Sequence, residues 1–191
     1  SFAIGKPPVP PISPISSIRY AAAQKGGGAD LTDLIAPPYD VLDEQSKAAL
    51  LAQNDQNIVA IDLPHLPPKT VGPDSAYKQA GDTYRQWLKS GRLVEDDKPA
   101  IYIYQQTYTS PSDPDQQFKR RGIIANVKVQ PFGGSGKKGL GGVHPHEQTF
   151  SAPKEDRLKL MQATASQLSP IFGIYSDEAG DIQTLIDKAI G

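Results

Sequence analysis

The chain has 191 residues, 38% of them hydrophobic and 21% charged, with a formal net charge of −1, which suits one sizeable domain or two small ones sharing a core. The interspersed charge lacks the basic footprint of nucleic-acid binding, and the absence of cysteine excludes disulfides, thiolate metal sites and a cysteine nucleophile. No apolar run reaches the ~18 residues of a membrane span and no signal-peptide order opens the chain, so a cytoplasmic protein is expected.

Residues 1–17 are proline-rich and read as an extended arm, because proline fixes φ and removes donors. The remainder, 18–191, reads as a single mixed α/β domain. Ile18–Ala23 suits a short strand, and Gly26, Gly27 and Gly28 then interrupt regular structure. Ala36-Pro37-Pro38-Tyr39-Asp40-Val41 forms a rigid, extended corner; its Tyr39 and Asp40 suit either ligand contact or a structural turn. Asp43 caps a helix over about 44–53, with Leu50 and Leu51 on its buried side. The apolar run Ile58–Leu63 reads as a buried strand. A proline-rich loop with His65, to which no role is assigned, leads to Asp74, the expected cap of a helix over about 75–90. Tyr77, Gly81, Tyr84 and Leu88 make its apolar stripe, with Ala80 and Trp87 beside it, and Gly91 ends it.

Ile101–Tyr108 and Arg121–Val129 pair as an antiparallel hairpin with a long tip at 110–117. The glycine-rich loop Gly133–Gly142 contains Gly134-x-Gly136-x-x-Gly139, but no helix opens after it as a dinucleotide fingerprint requires. Nor does Gly136-Lys137-Lys138 satisfy a P-loop. A flexible loop beside the His144 segment is the expectation. A helix follows from about 153 to 165, then an apolar strand Pro170–Tyr175 and a last helix Ile182–Ile190. The fold class is α/β, with a mixed sheet that includes an antiparallel hairpin, flanked by helices.

Chemistry concentrates between His144 and Arg157. His146 and Glu147 are the candidate catalytic pair, because histidine titrates nearest neutrality and a carboxylate serves as a base. His144-x-His146 places two rings on one face of an extended segment, which allows a metal or merely two surface histidines. No metal ligand set is assigned. Tyr39, Asp40, Thr149, Lys154, Asp156 and Arg157 are the candidate ligand-binding residues. On a helical wheel Leu158, Met161, Ala165 and Leu168 define the buried face, with Lys154 near its centre and Arg157 flanking it. Cations turned inward at a helix's first turn need partners: a bound anion, or a structural carboxylate. On the same wheel Asp156 points away.

The segments Ala36–Val41, Ile101–Gln105, Arg121–Ala125 and His146-Glu147-x-Thr149 with Lys154, Asp156 and Arg157 resemble, in order, the prokaryotic family catalogued as domain of unknown function 1015. The likeness runs from about Ile18 to Tyr175. It implies a protein about twice this length, of which this chain is the N-terminal portion. The family's second half carries an Asp-Gly-His-His-Arg signature, similar to one in the ParB and sulfiredoxin-like fold, which includes nucleotide-using enzymes and a free-serine kinase. That signature is not in this chain. The resemblance establishes no activity, and the likeness of that signature is analogy at the level of the fold, which hosts many functions. The first expectation is a nucleotide-dependent or phosphoryl-transfer enzyme, with magnesium arriving with a nucleotide, and a site completed by the C-terminal half. A non-catalytic module for a small anion or nucleotide, and a purely structural His-Glu-Lys-Arg network, are the alternatives.

Overall fold

A computed structural model describes residues 10–24, 30–110, 112–132, 142–145 and 148–190. The fold is mixed α/β, and the chain divides into two compact units. One comprises Ile18–Asp96 and Glu147–Ile171; the other comprises Ser1–Ser17, Asp97–His146 and Phe172–Gly191.

In the first unit, strand β2 (Ile18–Tyr20) runs into a short helix α1 (Ala21–Gln24) and pairs antiparallel with β3 (Leu93–Glu95), Tyr20 opposite Leu93. Tyr39–Val41 is a single 3-10 turn after extended Pro38, so the corner is tighter than proline content alone indicates. Helix α2 (Glu44–Gln53) starts where expected, because the Asp43 carboxylate accepts from the Ser46 N–H at 2.8 Å.

The expected strand over Ile58–Leu63 is instead a one-turn helix, α3 (Val59–Asp62). Its trigger is Asn57. The Asn57 side-chain oxygen accepts from the Val59 N–H at 3.0 Å, while its amide donates to the carbonyls of Asp33 and Ile35. That Asx turn bends the backbone before a strand can begin. A short apolar run does not by itself distinguish the two states.

Helix α4 (Asp74–Lys89) buries the expected stripe: Tyr77, Ala80, Gly81, Tyr84 and Trp87. Pro73 occupies its cap position, and Asp74, already helical, pairs with Lys159 at 2.7 Å. Gly91, at φ 72°, lets the chain turn off the helix. Tyr77, Tyr84 and Trp87 join Tyr20, Ile61 and Leu160 in the main core, while Leu42, Val59 and Leu63 form a second cluster with Leu50 and Leu51 against it.

Helix α5 (Ser151–Thr164) lies along α4. The two approach so closely that a Cβ on Gly81 would sit 2.4 Å from the Ala163 carbonyl oxygen. Alanine in place of a mid-helix glycine ordinarily gains about 1 kcal/mol. Here we expect Gly81→Ala to lose about 1–3 kcal/mol by overpacking, read as a lowered urea midpoint.

The register of α5 corrects the sequence-based wheel. Its buried residues are Asp156, Leu160 and Thr164, while Leu158 and Met161 are exposed, as are Ala165 and Lys154. Asp156 therefore points inward and Lys154 outward, the reverse of the expectation. The wheel was centred on apolar residues, whereas a carboxylate with enough donors occupies the centre. Ala165, at φ 53°, ends the helix.

In the second unit, β4 (Tyr102–Ser110) and β5 (Asp113–Ile124) form the antiparallel hairpin. Its tip is shorter than expected, since pairing continues to Ser110 opposite Asp113. The arm is extended at Ile12–Ser13 (β1), which pairs with β6 (Asn126–Val127). Helix α6 (Asp181–Ile190) carries Asp187, paired with Arg121, and buries Ile186. The three strand pairs are separate two-stranded ladders, all antiparallel, so among the described residues no larger mixed sheet forms.

The expected strand Pro170–Tyr175 is also absent. Residues 170–175 are irregular, and Ile171 and Ile174 are more than nine-tenths exposed. An apolar run pairs as a strand only where a neighbouring edge receives it. Among the described residues no helix is long and apolar enough to cross a membrane.

Candidate functional site

The site grows from Asp156, which α5 turns into the first unit's interior with only 1% of its surface exposed. Its Oδ1 accepts from the Tyr77 hydroxyl at 2.7 Å and from His65 Nε2 at 2.8 Å. Its Oδ2 takes Arg157 Nε at 2.9 Å and a second guanidinium nitrogen at 2.8 Å. Burial alone would push this carboxyl up, but the donors of Tyr77, His65 and Arg157 outweigh it and hold the group below the usual range.

Arg157 extends the network. Its other terminal nitrogen donates to the Asp62 backbone carbonyl at 2.9 Å and to the Asp62 carboxylate at 3.1 Å. The guanidinium lies 3.7 Å over the Tyr39 ring, a cation–π contact that ties α5 to the 36–41 corner. Asp62 also accepts from the Ser169 hydroxyl at 3.1 Å. Burial pushes the Asp62 carboxyl up, with Arg157 opposing.

Tyr77, the first aromatic of the α4 stripe, accepts from the Gly72 N–H at 2.9 Å while donating to Asp156. Burial and that donation push its hydroxyl up to about 12, so it stays a donor at any physiological pH. At the rim Lys69, a non-glycine residue at φ 65°, pairs with Asp40 at 3.2 Å.

The two carboxylates make opposite contributions to stability. Asp156, with its pKa depressed, stabilises the fold above about pH 4, the unfolded carboxylate value, and that stability is lost as pH falls through its own lower pKa. Asp62, with its pKa raised, costs stability at neutral pH, and the cost is relieved as pH falls through its raised value. Urea midpoints followed downward from pH 7 should therefore stay level or rise slightly before a steep acid loss. Asp156→Asn should flatten the steep limb, and Asp62→Asn should remove the early rise.

Of the residues singled out from sequence, Tyr39, Asp156 and Arg157 come together directly, and Asp40 stands next to Tyr39 at the rim. Thr149 and Lys154 are exposed, just before and within the first turn of α5. His146 and Glu147 lie outside the described residues, as does the loop from Gly133 to Gly141. Sequence reasoning missed His65, Tyr77 and Asp62. The available signal was slight: Tyr77 heads a buried stripe, and a buried tyrosine hydroxyl requires a partner. Among the described residues, no three histidine, aspartate or glutamate side chains are grouped to hold a metal. A cavity of about 310 Å³ in this unit, lined by Tyr20, Leu34, Gln56 and Arg92 among others, contains none of the cluster.

A family model described as "Protein of unknown function (DUF1015)" matches residues 12–191. Neither the curated proteins nor the solved structures yielded a match. With nearly its whole length matched, and with the corner and the Lys154–Arg157 segment that carry the resemblance meeting at Arg157 and Tyr39, the chain belongs to the DUF1015 family.

Proposed function

We propose that this chain binds a small phosphate-bearing anion, such as a nucleotide, at the exposed start of α5. It would do so as one part of a nucleotide-dependent or phosphoryl-transfer enzyme that a C-terminal half of the same protein completes. The supporting observation is the Arg157–Tyr39 contact, which sets the start of α5 against the 36–41 corner.

In this reading the phosphate is held by Thr149, Lys154 and the free N–H groups of a first helical turn that has no side-chain cap and no acidic residue. Arg157 is not the phosphate ligand. Asp62 and Asp156 already occupy its donors, and two carboxylates beside one guanidinium repel an anion. Its task is to brace Tyr39, and through it Asp40, beside the ligand. Glu147 or His146 is the base on the strength of sequence alone, and magnesium enters with the nucleotide.

Calorimetric titration of ATP, ADP and inorganic phosphate, each with magnesium, tests the reading. Binding that weakens with salt is expected, with a loss of about tenfold or more on Lys154→Ala. Absence of binding at millimolar nucleotide would contradict it. A second reading, a purely structural network, is favoured by the complete internal pairing of Asp156 and predicts no ligand at all.

A further inference from the structure

His65 is a titratable group to which the proposed ligand contact gives no task. Its Nε2 faces Asp156 Oδ1 at 2.8 Å and the Tyr77 hydroxyl oxygen at 3.1 Å. An ionised carboxylate only accepts, so the hydrogen between the two sits on Nε2. Tyr77 offers no alternative, because its own hydrogen goes to Asp156 and its oxygen takes the Gly72 N–H. The neutral ring is therefore the Nε2–H tautomer, with its lone pair on Nδ1.

That nitrogen has no hydrogen-bond partner among the described residues. No buried side-chain nitrogen or oxygen there goes unpartnered, so Nδ1 is reached by solvent although the side chain is only 9% exposed. The ring is held in place. A Cβ on Gly72 would lie 2.3 Å from its Cδ2, and Tyr77 meets it edge-on with centroids 5.5 Å apart.

We propose that His65 is a proton-accepting group working through Nδ1, with Asp156 as its positioning carboxylate. When an acidic hydroxyl gives up its proton, that O–H bond breaks, an N–H bond forms at Nδ1, and Asp156 meets the imidazolium charge. The groups facing the ring are Asp156, with Arg157 behind it, from α5, and Tyr77 from α4, with Lys159 5.9 Å over the Tyr77 ring. The substrate class, a phosphate-bearing molecule with an ionisable hydroxyl, rests on the function proposed above. The open Nδ1 does not, so the two fail separately.

Diethyl pyrocarbonate acylates an unprotonated imidazole nitrogen, and mass spectrometry assigns the product to each histidine. On the intact chain, His65 should react at least about tenfold faster than global opening permits. Asp156→Asn should release the tautomer, because an amide can donate to Nε2 as well as accept from it, so Nδ1–H rings should appear in long-range proton–nitrogen NMR spectra; Tyr77→Phe, which leaves the carboxylate in place, should keep the Nε2–H form and serves as the folded control. Reaction only at the rate of global opening would overturn the assignment. So would an Nδ1–H tautomer in the long-range proton–nitrogen NMR spectra of the wild type, or an unchanged Nε2–H tautomer in Asp156→Asn.

Discussion

Asp156→Ala is expected to cost about 3–5 kcal/mol, the range for breaking a buried pair by removing one partner. The reason is the number of groups left behind. Arg157 loses the acceptor of two guanidinium nitrogens, and Tyr77 and His65 lose theirs, all at a position 1% exposed. The same carboxylate joins α5, α4 and the loop bearing His65, so its loss frees three segments at once. Asp156→Asn keeps the volume and one acceptor oxygen, and should cost less, about 1–3 kcal/mol. Urea unfolding separates the two, with the midpoint falling and the slope unchanged. A loss below about 1 kcal/mol for the alanine variant would mean that α5 is not docked through this residue.

Leu160→Ala should cost about 2–5 kcal/mol and Leu158→Ala less than about 1 kcal/mol. Leu160 is 2% exposed within the main core, whereas Leu158 is 46% exposed on the same helix. The pair discriminates between two registers of α5. The apolar wheel makes Leu158 the core residue; a carboxylate-centred face makes it Leu160. Equal losses, or a larger loss at Leu158, would contradict the inward direction of Asp156.

That register shows where legibility ended. Helix α2 was legible because Asp43 is a strong local cap, and α4 because Tyr77, Ala80, Gly81, Tyr84, Trp87 and Leu88 repeat with helical period before Gly91 stops them. The β4–β5 hairpin was legible from its β-branched and aromatic runs. The strand expected at Ile58–Leu63 failed because Asn57 turns the backbone through the Val59 N–H, and its side chain is fixed for that by donating to the carbonyls of Asp33 and Ile35, contacts that no local pattern encodes. The face of α5 failed for a related reason. Hydrophobic periodicity assumes that the centre of a buried face is apolar, and here it is Asp156, stabilised by donors from distant segments.

The candidate site was legible in part. Tyr39, Asp156 and Arg157 were singled out by residue type, and they meet. Arg157 was expected to need either an anion or a carboxylate, and it has two carboxylates. His65, Tyr77 and Asp62 were invisible because they reach Asp156 only through the packing of α4 on α5 and the turn of α3. Lys154, expected inside, is outside, which moves the place for a ligand from the interior of the cluster to its rim.

Thermal unfolding of the wild type and of Lys154→Ala, each with and without a saturating nucleotide and magnesium, tests that relocation most directly. A ligand that binds only the native state raises stability by about 2.7 kcal/mol at a hundredfold excess over Kd. Equal melting temperatures are expected for the two proteins without ligand, because Lys154 is exposed and forms no ion pair among the described residues, and a ligand-induced rise in Lys154→Ala of about half that of the wild type or less. A Lys154→Ala protein that melts early without ligand, or that keeps the full rise with it, would contradict the account.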